Sequence, residues 1–236
     1  MNANSEKQTF KTRLKSEILD KLSIRRIVTY CLGFFLIAIG ISISAKSSLG
    51  VSPVNSVPYT VSLLTGFEQG LCTTAFFLIL IFVQFLISPK NFSPFSFLQI
   101  ICSFVFGWFV TLANICTAFI PTPESYIIKM IYIIISLFFV AVGVFLYVNS
   151  DFLPLPSEGV MLTFSKRTNI PFHICKIGFD CSVVVIAALI SLIARGELLG
   201  VREGTVIAAV FVGIIIKPIS KSFLVKLKKF LRDASK

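Results

Sequence analysis

Charge is scarce in this 236-residue chain: 14% of residues are Asp, Glu, Lys or Arg, 56% are hydrophobic, and mean hydropathy is +0.90. So little polar side chain cannot cover a soluble globule of this size, so lipid is the expected solvent. Acids are scarcer still, 11 against 22 Lys and Arg, giving a formal net charge of +11. This excess collects at the two ends and in short linkers between uncharged runs, which excludes a soluble nucleic-acid binder. There is one His, and the six Cys residues (Cys31, Cys72, Cys102, Cys116, Cys175 and Cys181) lie in or beside apolar runs with no CxxC spacing. They read as small buried hydrophobes, and neither a zinc site nor a disulfide framework is expected. HExxH, GxSxG and phosphate-loop patterns are missing, so no enzyme chemistry, cofactor or metal is expected.

What the chain does have is long apolar runs. Six reach the roughly 20 residues that an α-helix needs to cross hydrocarbon. They lie near Ile27–Ala45, Leu71–Ile87, Phe95–Ile120, Ile127–Val148, Phe172–Ala194 and Leu198–Ser220. The expected fold is therefore an all-α polytopic membrane protein with six transmembrane helices. The fifth run carries His173, Lys176 and Asp180, and the sixth is uncharged only over Gly204–Ile216, so it relies on burial, tilt or snorkelling to span.

The ends are basic and amphipathic. Phe10, Leu14, Ile18 and Leu22 alternate with Lys11, Lys15 and Lys21, and Phe223, Leu224, Leu227, Phe230 and Leu231 alternate with Lys221, Lys226, Lys228, Lys229 and Arg232. Both read as helices lying on the lipid bilayer, held by anionic phospholipids, with solvated or domain-packing roles as the alternative. The leading segment is too long and too mixed in charge for a secretory signal peptide. Counting Lys and Arg beside the spans puts both termini on the cytoplasmic side, with Lys90 and Lys166–Arg167; Lys129, Arg195 and Arg202 fall outside.

The chain also resembles itself. A shift of 103 residues superimposes Phe35 on Phe138, Ala38 on Ala141, Gly40 on Gly143, Pro53 on Pro156, Val57 on Val160, Thr60 on Thr163, Thr65 on Thr168 and Cys72 on Cys175; a shift of 106 aligns Gly107 with Gly213. Each half has three spans, an odd number, so the second half is expected upside down relative to the first: two inverted three-helix repeats meeting around a central site. Eight spans with parallel repeats is the alternative. The domains expected are a basic segment at 1–26, a first repeat at 27–120, a second at 121–220 and a basic tail at 221–236.

Within each repeat a polar, proline-bearing segment interrupts the apolar pattern: Ser47–Pro58, with Gly50, Pro53 and Pro58, and Asn149–Gly159, with Pro154, Pro156 and Gly159. These residues break helices, and irregular backbone at membrane depth is tolerated only inside protein or along a wet cavity. A broken or re-entrant segment is expected in each half, with short helices opening near Ser52 and Ser157; the alternative is an ordinary loop. Substrate or ion-pathway candidates follow as Ser52, Asn55, Thr60, Glu158, Thr163, His173, Lys176 and Asp180. Lys176 and Asp180 stand four apart on one helical face, as either a coupling site or a structural pair.

Gly33–Gly40 followed by Leu49-Gly50-Val51-Ser52-Pro53, Leu64-Thr65-Gly66 and Leu199-Gly200-Val201-Arg202-Glu203-Gly204-Thr205 resembles the YczE/YyaS/YitT-like family of bacterial integral membrane proteins over about Arg25–Ser220. The resemblance implies a multi-pass protein of the bacterial plasma membrane and no particular substrate. Longer YitT-like members carry a soluble C-terminal domain, where this chain has a short basic tail. The function expected is a small-solute secondary transporter or permease, its partners a small solute or ion and the bilayer, with a homo-oligomer left open. The alternative is a noncatalytic membrane partner assisting assembly, secretion or export of another component. Transport requires a cavity at the repeat interface; a partner protein requires a docking surface without one.

Overall fold

The computed structural model describes residues 23–89 and 97–232 and is helical, with no strand among the described residues. The helices are α1 (Ile24–Ser47), α2 (Pro53–Thr65), α3 (Gln69–Ile87), α4 (Leu98–Cys116), α5 (Tyr126–Asn149), α6 (Pro156–Thr168), α7 (Phe172–Arg195) and α8 (Glu203–Arg232). The amphipathic N-terminal segment up to residue 22, Lys90 and residues 233–236 lie outside the described residues.

Five helices, α1, α3, α4, α5 and α7, are long and apolar enough to cross a membrane, so the chain is a polytopic helical membrane protein. Where six spans were expected, five are long enough, and the sixth run contains a shorter apolar helical stretch, Glu203–Ile216. The tail does not form a separate helix either. α8 continues through Pro218 to Arg232, and Arg25 at the start of α1 donates to the Phe230 carbonyl (3.1 Å) with its guanidinium 5.0 Å from the Phe230 ring centroid. The start of α1 and the end of α8 therefore lie together.

The two short helices share one local grammar. Pro53 and Pro156 each occupy the first helical turn, where a missing N–H costs nothing, and Gly66 and Asn169 end the helices in left-handed conformation. Both are 13 residues long and start 103 residues apart. Two residues expected to break helices lie inside them instead. Pro58 sits within α2 and only withholds an N–H from the Val54 carbonyl, whereas Gly159 donates in helical register to Leu155 O (2.8 Å).

Packing centres on α1 and α5. A Cβ on Gly33 would lie 2.8 Å from the Gly143 carbonyl oxygen and 2.7 Å from Tyr147 N, and one on Gly40 would lie 2.8 Å from the Ser136 carbonyl oxygen. Higher numbers on α1 meet lower numbers on α5, so the pair is antiparallel and in backbone contact, which only small residues permit. Around it α4 packs on α1 and α8 on α5, while α2 packs on α7 and α6 on α3, so each short helix sits against a long helix from the other half of the chain. The core is aromatic: Phe34 meets Phe106 edge-on at 5.0 Å, Phe106 stacks on Phe77 at 5.5 Å, and Tyr30 and Tyr147 close the cluster. All six cysteines are free; Cys72, Cys102 and Cys175 are buried as expected, but Cys116 and Cys181 are exposed on outer faces.

Replacing Gly143 by Leu should destabilise the protein by about 1–3 kcal/mol through overpacking, read as a lower melting temperature in detergent. Gly178→Leu should leave it nearly unchanged, since no atom lies within 4 Å of a Cβ at Gly178.

Candidate functional site

The first turns of α2 and α6 end at one cavity of about 240 Å³. Ser52, Pro53, Val54 and Asn55 line it from one short helix and Leu155, Ser157, Glu158 and Met161 from the other. Ile37 of α1, Val140, Val144 and Tyr147 of α5, Phe77 of α3 and Phe106 of α4 supply further walls, and Ala208, Ala209, Val212 and Ile216 of α8 face Lys176 and Asp180 of α7. The surface is apolar apart from one polar group of side chains.

That group holds one ammonium and two carboxyls. Lys176 Nζ lies 3.1 Å from Asp180 Oδ2, bridging one turn of α7, with the Lys side chain half exposed and the Asp side chain 18% exposed. Asp180 Oδ1 is buried and has no hydrogen-bond partner. Lys176 is also near enough to Glu158 to act on it electrostatically. The Tyr147 hydroxyl neighbours Glu158 closely enough to interact with it, but stands outside hydrogen-bond geometry. On α2, which packs on α7, the Asn55 amide donates to Ser52 Oγ (2.8 Å) while its oxygen is buried and unpartnered. Buried acceptors without donors are uncommon in folded proteins, and these two border the same cavity.

Tyr147 and Glu158 also line a second cavity of about 290 Å³, formed with Val148, Asp151, Phe152, Leu153, Pro154 and Leu162. Asp151 is exposed, so this cavity lies at the end of the bundle where α5 finishes and α1 begins. At the opposite end a clasp of hydrogen bonds joins residues 48–51 and Thr60 to residues 199–204. Gly204 N donates to Leu49 O (2.8 Å), Val51 N to Gly200 O (3.4 Å), Thr60 Oγ1 to Leu199 O (3.0 Å) and Arg202 Nη1 to Ser48 O (3.4 Å). Two irregular segments thus satisfy each other's backbone groups, as lipid requires. Gly50, at φ +97°, allows the close approach; a Cβ there would lie 2.8 Å from Arg202 N.

Of the site residues expected from sequence, Ser52, Asn55, Glu158, Lys176 and Asp180 meet in the central cavity. Thr60 is fully buried in the clasp, Thr163 is half-buried on α6 away from the cavity lining, and His173 is exposed in the first turn of α7. Ser157, near which a short helix was expected to open, also lines the cavity, whereas Tyr147 was not expected from sequence, nor was the polar seat of α6. Gln99 donates to Pro154 O (3.1 Å), and a Cβ on Gly159 would collide with the Gln84 side-chain oxygen. A glutamine inside an apolar run, as at Gln84, was the available signal. Among the described residues no group of three or more His, Cys, Asp or Glu could hold a metal ion.

Gly159→Val should push α6 away from α3, move Glu158 and lower the melting temperature; Gln84→Ala in the same chain should recover most of the loss by making room. Thermal unfolding of the single and double variants in detergent measures this coupling.

The family model described as a family of unknown function, DUF6198, matches residues 24–221. No curated protein and no solved structure matches the chain.

Proposed function

We propose that this chain, which belongs to the DUF6198 family of unknown function, is a secondary transporter or permease for a small solute in the bacterial plasma membrane, and not an enzyme. The observation that carries this reading is the central cavity, where the first turns of α2 and α6 bring Asn55 and Glu158 to the charged pair on α7. A protein that only docks another component has no need for such a cavity, so transport is favoured over the assembly or export role.

Six crossings in two inverted repeats fit this reading. A 13-residue helix is about 20 Å long, too short for a roughly 30 Å hydrocarbon core, so α2 and α6 are taken as re-entrant and α8 as the sixth crossing. The contact geometry supports the inversion. Shifted by 103 residues, the meeting of Gly33 with Gly143 becomes that of Ser136 with Gly40, which is also present, and an antiparallel α1–α5 pair relates two halves of opposite orientation. The proximity of Arg25 and Phe230 supports termini on one side, which the basic residues assign to the cytoplasm.

On this reading the clasp between residues 48–51 and 199–204 closes one face, while the cavity beside Asp151 approaches the other. Transport alternates by opening the clasp and sealing the far side, with Tyr147 and Glu158 between the two spaces. Uptake and efflux screens in proteoliposomes test the function. Glu158→Gln and Asp180→Asn should each lower flux by tenfold or more while membrane insertion and elution in gel filtration stay normal. Normal flux in both variants, or no flux of any solute with folded protein, rejects the reading.

A further inference from the structure

We infer that the central cavity binds a protonated organic amine with a compact apolar body, its ammonium held among Glu158, Asp180 and Asn55. This deepens the transport reading and rests on it in taking the cavity as a ligand site. Charge is the first reason. Two carboxyls face one ammonium, and Lys176 is already spent on Asp180 Oδ2 at 3.1 Å. An anion would enter beside two acids with no second cation among the described lining residues to meet it, whereas a second cation completes the balance.

Hydrogen bonding gives the same sign. Asp180 Oδ1 and Asn55 Oδ1 are buried acceptors without donors, and Asn55 as a whole is 7% exposed. An alkylammonium brings three donors to such a set.

The walls define the rest of the ligand. Ile37, Val140, Val144, Met161 and Val212 offer nothing to a hydrated inorganic ion, and about 240 Å³ is below the usual range for drug-sized ligands, so the body is apolar and small. Among the described residues α7 and α8, which both border the cavity, make no extended packing contact with each other, unlike α3 and α4. α3 and α4 close through Gly70, where a Cβ would collide with the Gly107 carbonyl. The residue 103 positions later is His173, whose side chain forbids that approach. A ligand with an apolar body would reach the cavity from lipid between α7 and α8.

Equilibrium dialysis of radiolabelled hexylamine against the full chain in nanodiscs, with empty nanodiscs subtracted, tests the proposal; the amine is protonated at neutral pH, with a pKa near that of lysine, about 10.4. Saturable binding is expected, with hexanoate failing to compete and 1-hexanol competing at least tenfold more weakly than unlabelled hexylamine. Glu158→Gln should weaken binding about tenfold or more. Lys176→Gln should tighten it several-fold by freeing Asp180, a gain that misfolding cannot mimic. No saturable binding, competition by hexanoate equal to that by hexylamine, or wild-type affinity in both variants overturns the inference. Amine binding without flux of any solute keeps the site and rejects the transporter; flux of another solute without amine binding does the reverse.

Discussion

The backbone contact between α1 and α5 is the constraint from which the other positions follow. In lipid, apolar side chains gain little by leaving one apolar medium for another, so helices associate through close packing. Gly33, Gly40 and Gly143 provide it by bringing carbonyls of the facing helix to within van der Waals range. Once the two helices are locked antiparallel, Tyr30 and Phe34 meet Tyr147, α4 and α8 find their places on opposite sides, and the polar segments that follow α1 and α5 turn inward. A space between the first turns of α2 and α6 is what those inward turns leave.

Such turns carry a cost that sets the rest of the architecture. Unpaired N–H and C=O groups have no water to bond with in hydrocarbon. Residues 48–51 solve this by bonding to residues 199–204, while Ser44, Ser47, Gln99 and Ser150 satisfy carbonyls nearby with their side chains. On the transport reading proposed above, the same bonds that make the broken backbone tolerable would also close that end of the bundle. Stability and access thus draw on one set of donors and acceptors, and the transport cycle proposed above has to exchange them without leaving any exposed.

Much of this was legible because lipid-facing sequence is nearly featureless and departures from it stand out. Pro53 and Pro156 open the short helices within a residue of the starts expected near Ser52 and Ser157, and Asn55, Glu158, Lys176 and Asp180 are conspicuous as polar groups in apolar surroundings. Tyr147 was not, because its hydroxyl is the only sign that separates it from the phenylalanines around it. Thr60 and Thr163 occupy matching positions in sequence but different surroundings, the first against the carbonyl of Leu199 and the second on a half-buried face of α6. Periodicity sets His173 near the face of Lys176 and Asp180, yet it belongs to the first turn of α7 and stays exposed. The tail was read as a separate surface helix because proline usually ends one; here the helix absorbs Pro218 and carries on.

That continuity makes α8 a lever. Its 30 residues amount to about 45 Å, half as long again as a hydrocarbon core of roughly 30 Å. The stretch from Ile216 to Arg232 reaches about 24 Å beyond the cavity wall, so a rocking of ~10° at Val212 would sweep the tip by ~4 Å or more. With Arg25 resting on Phe230, such a sweep would carry the start of α1 with it.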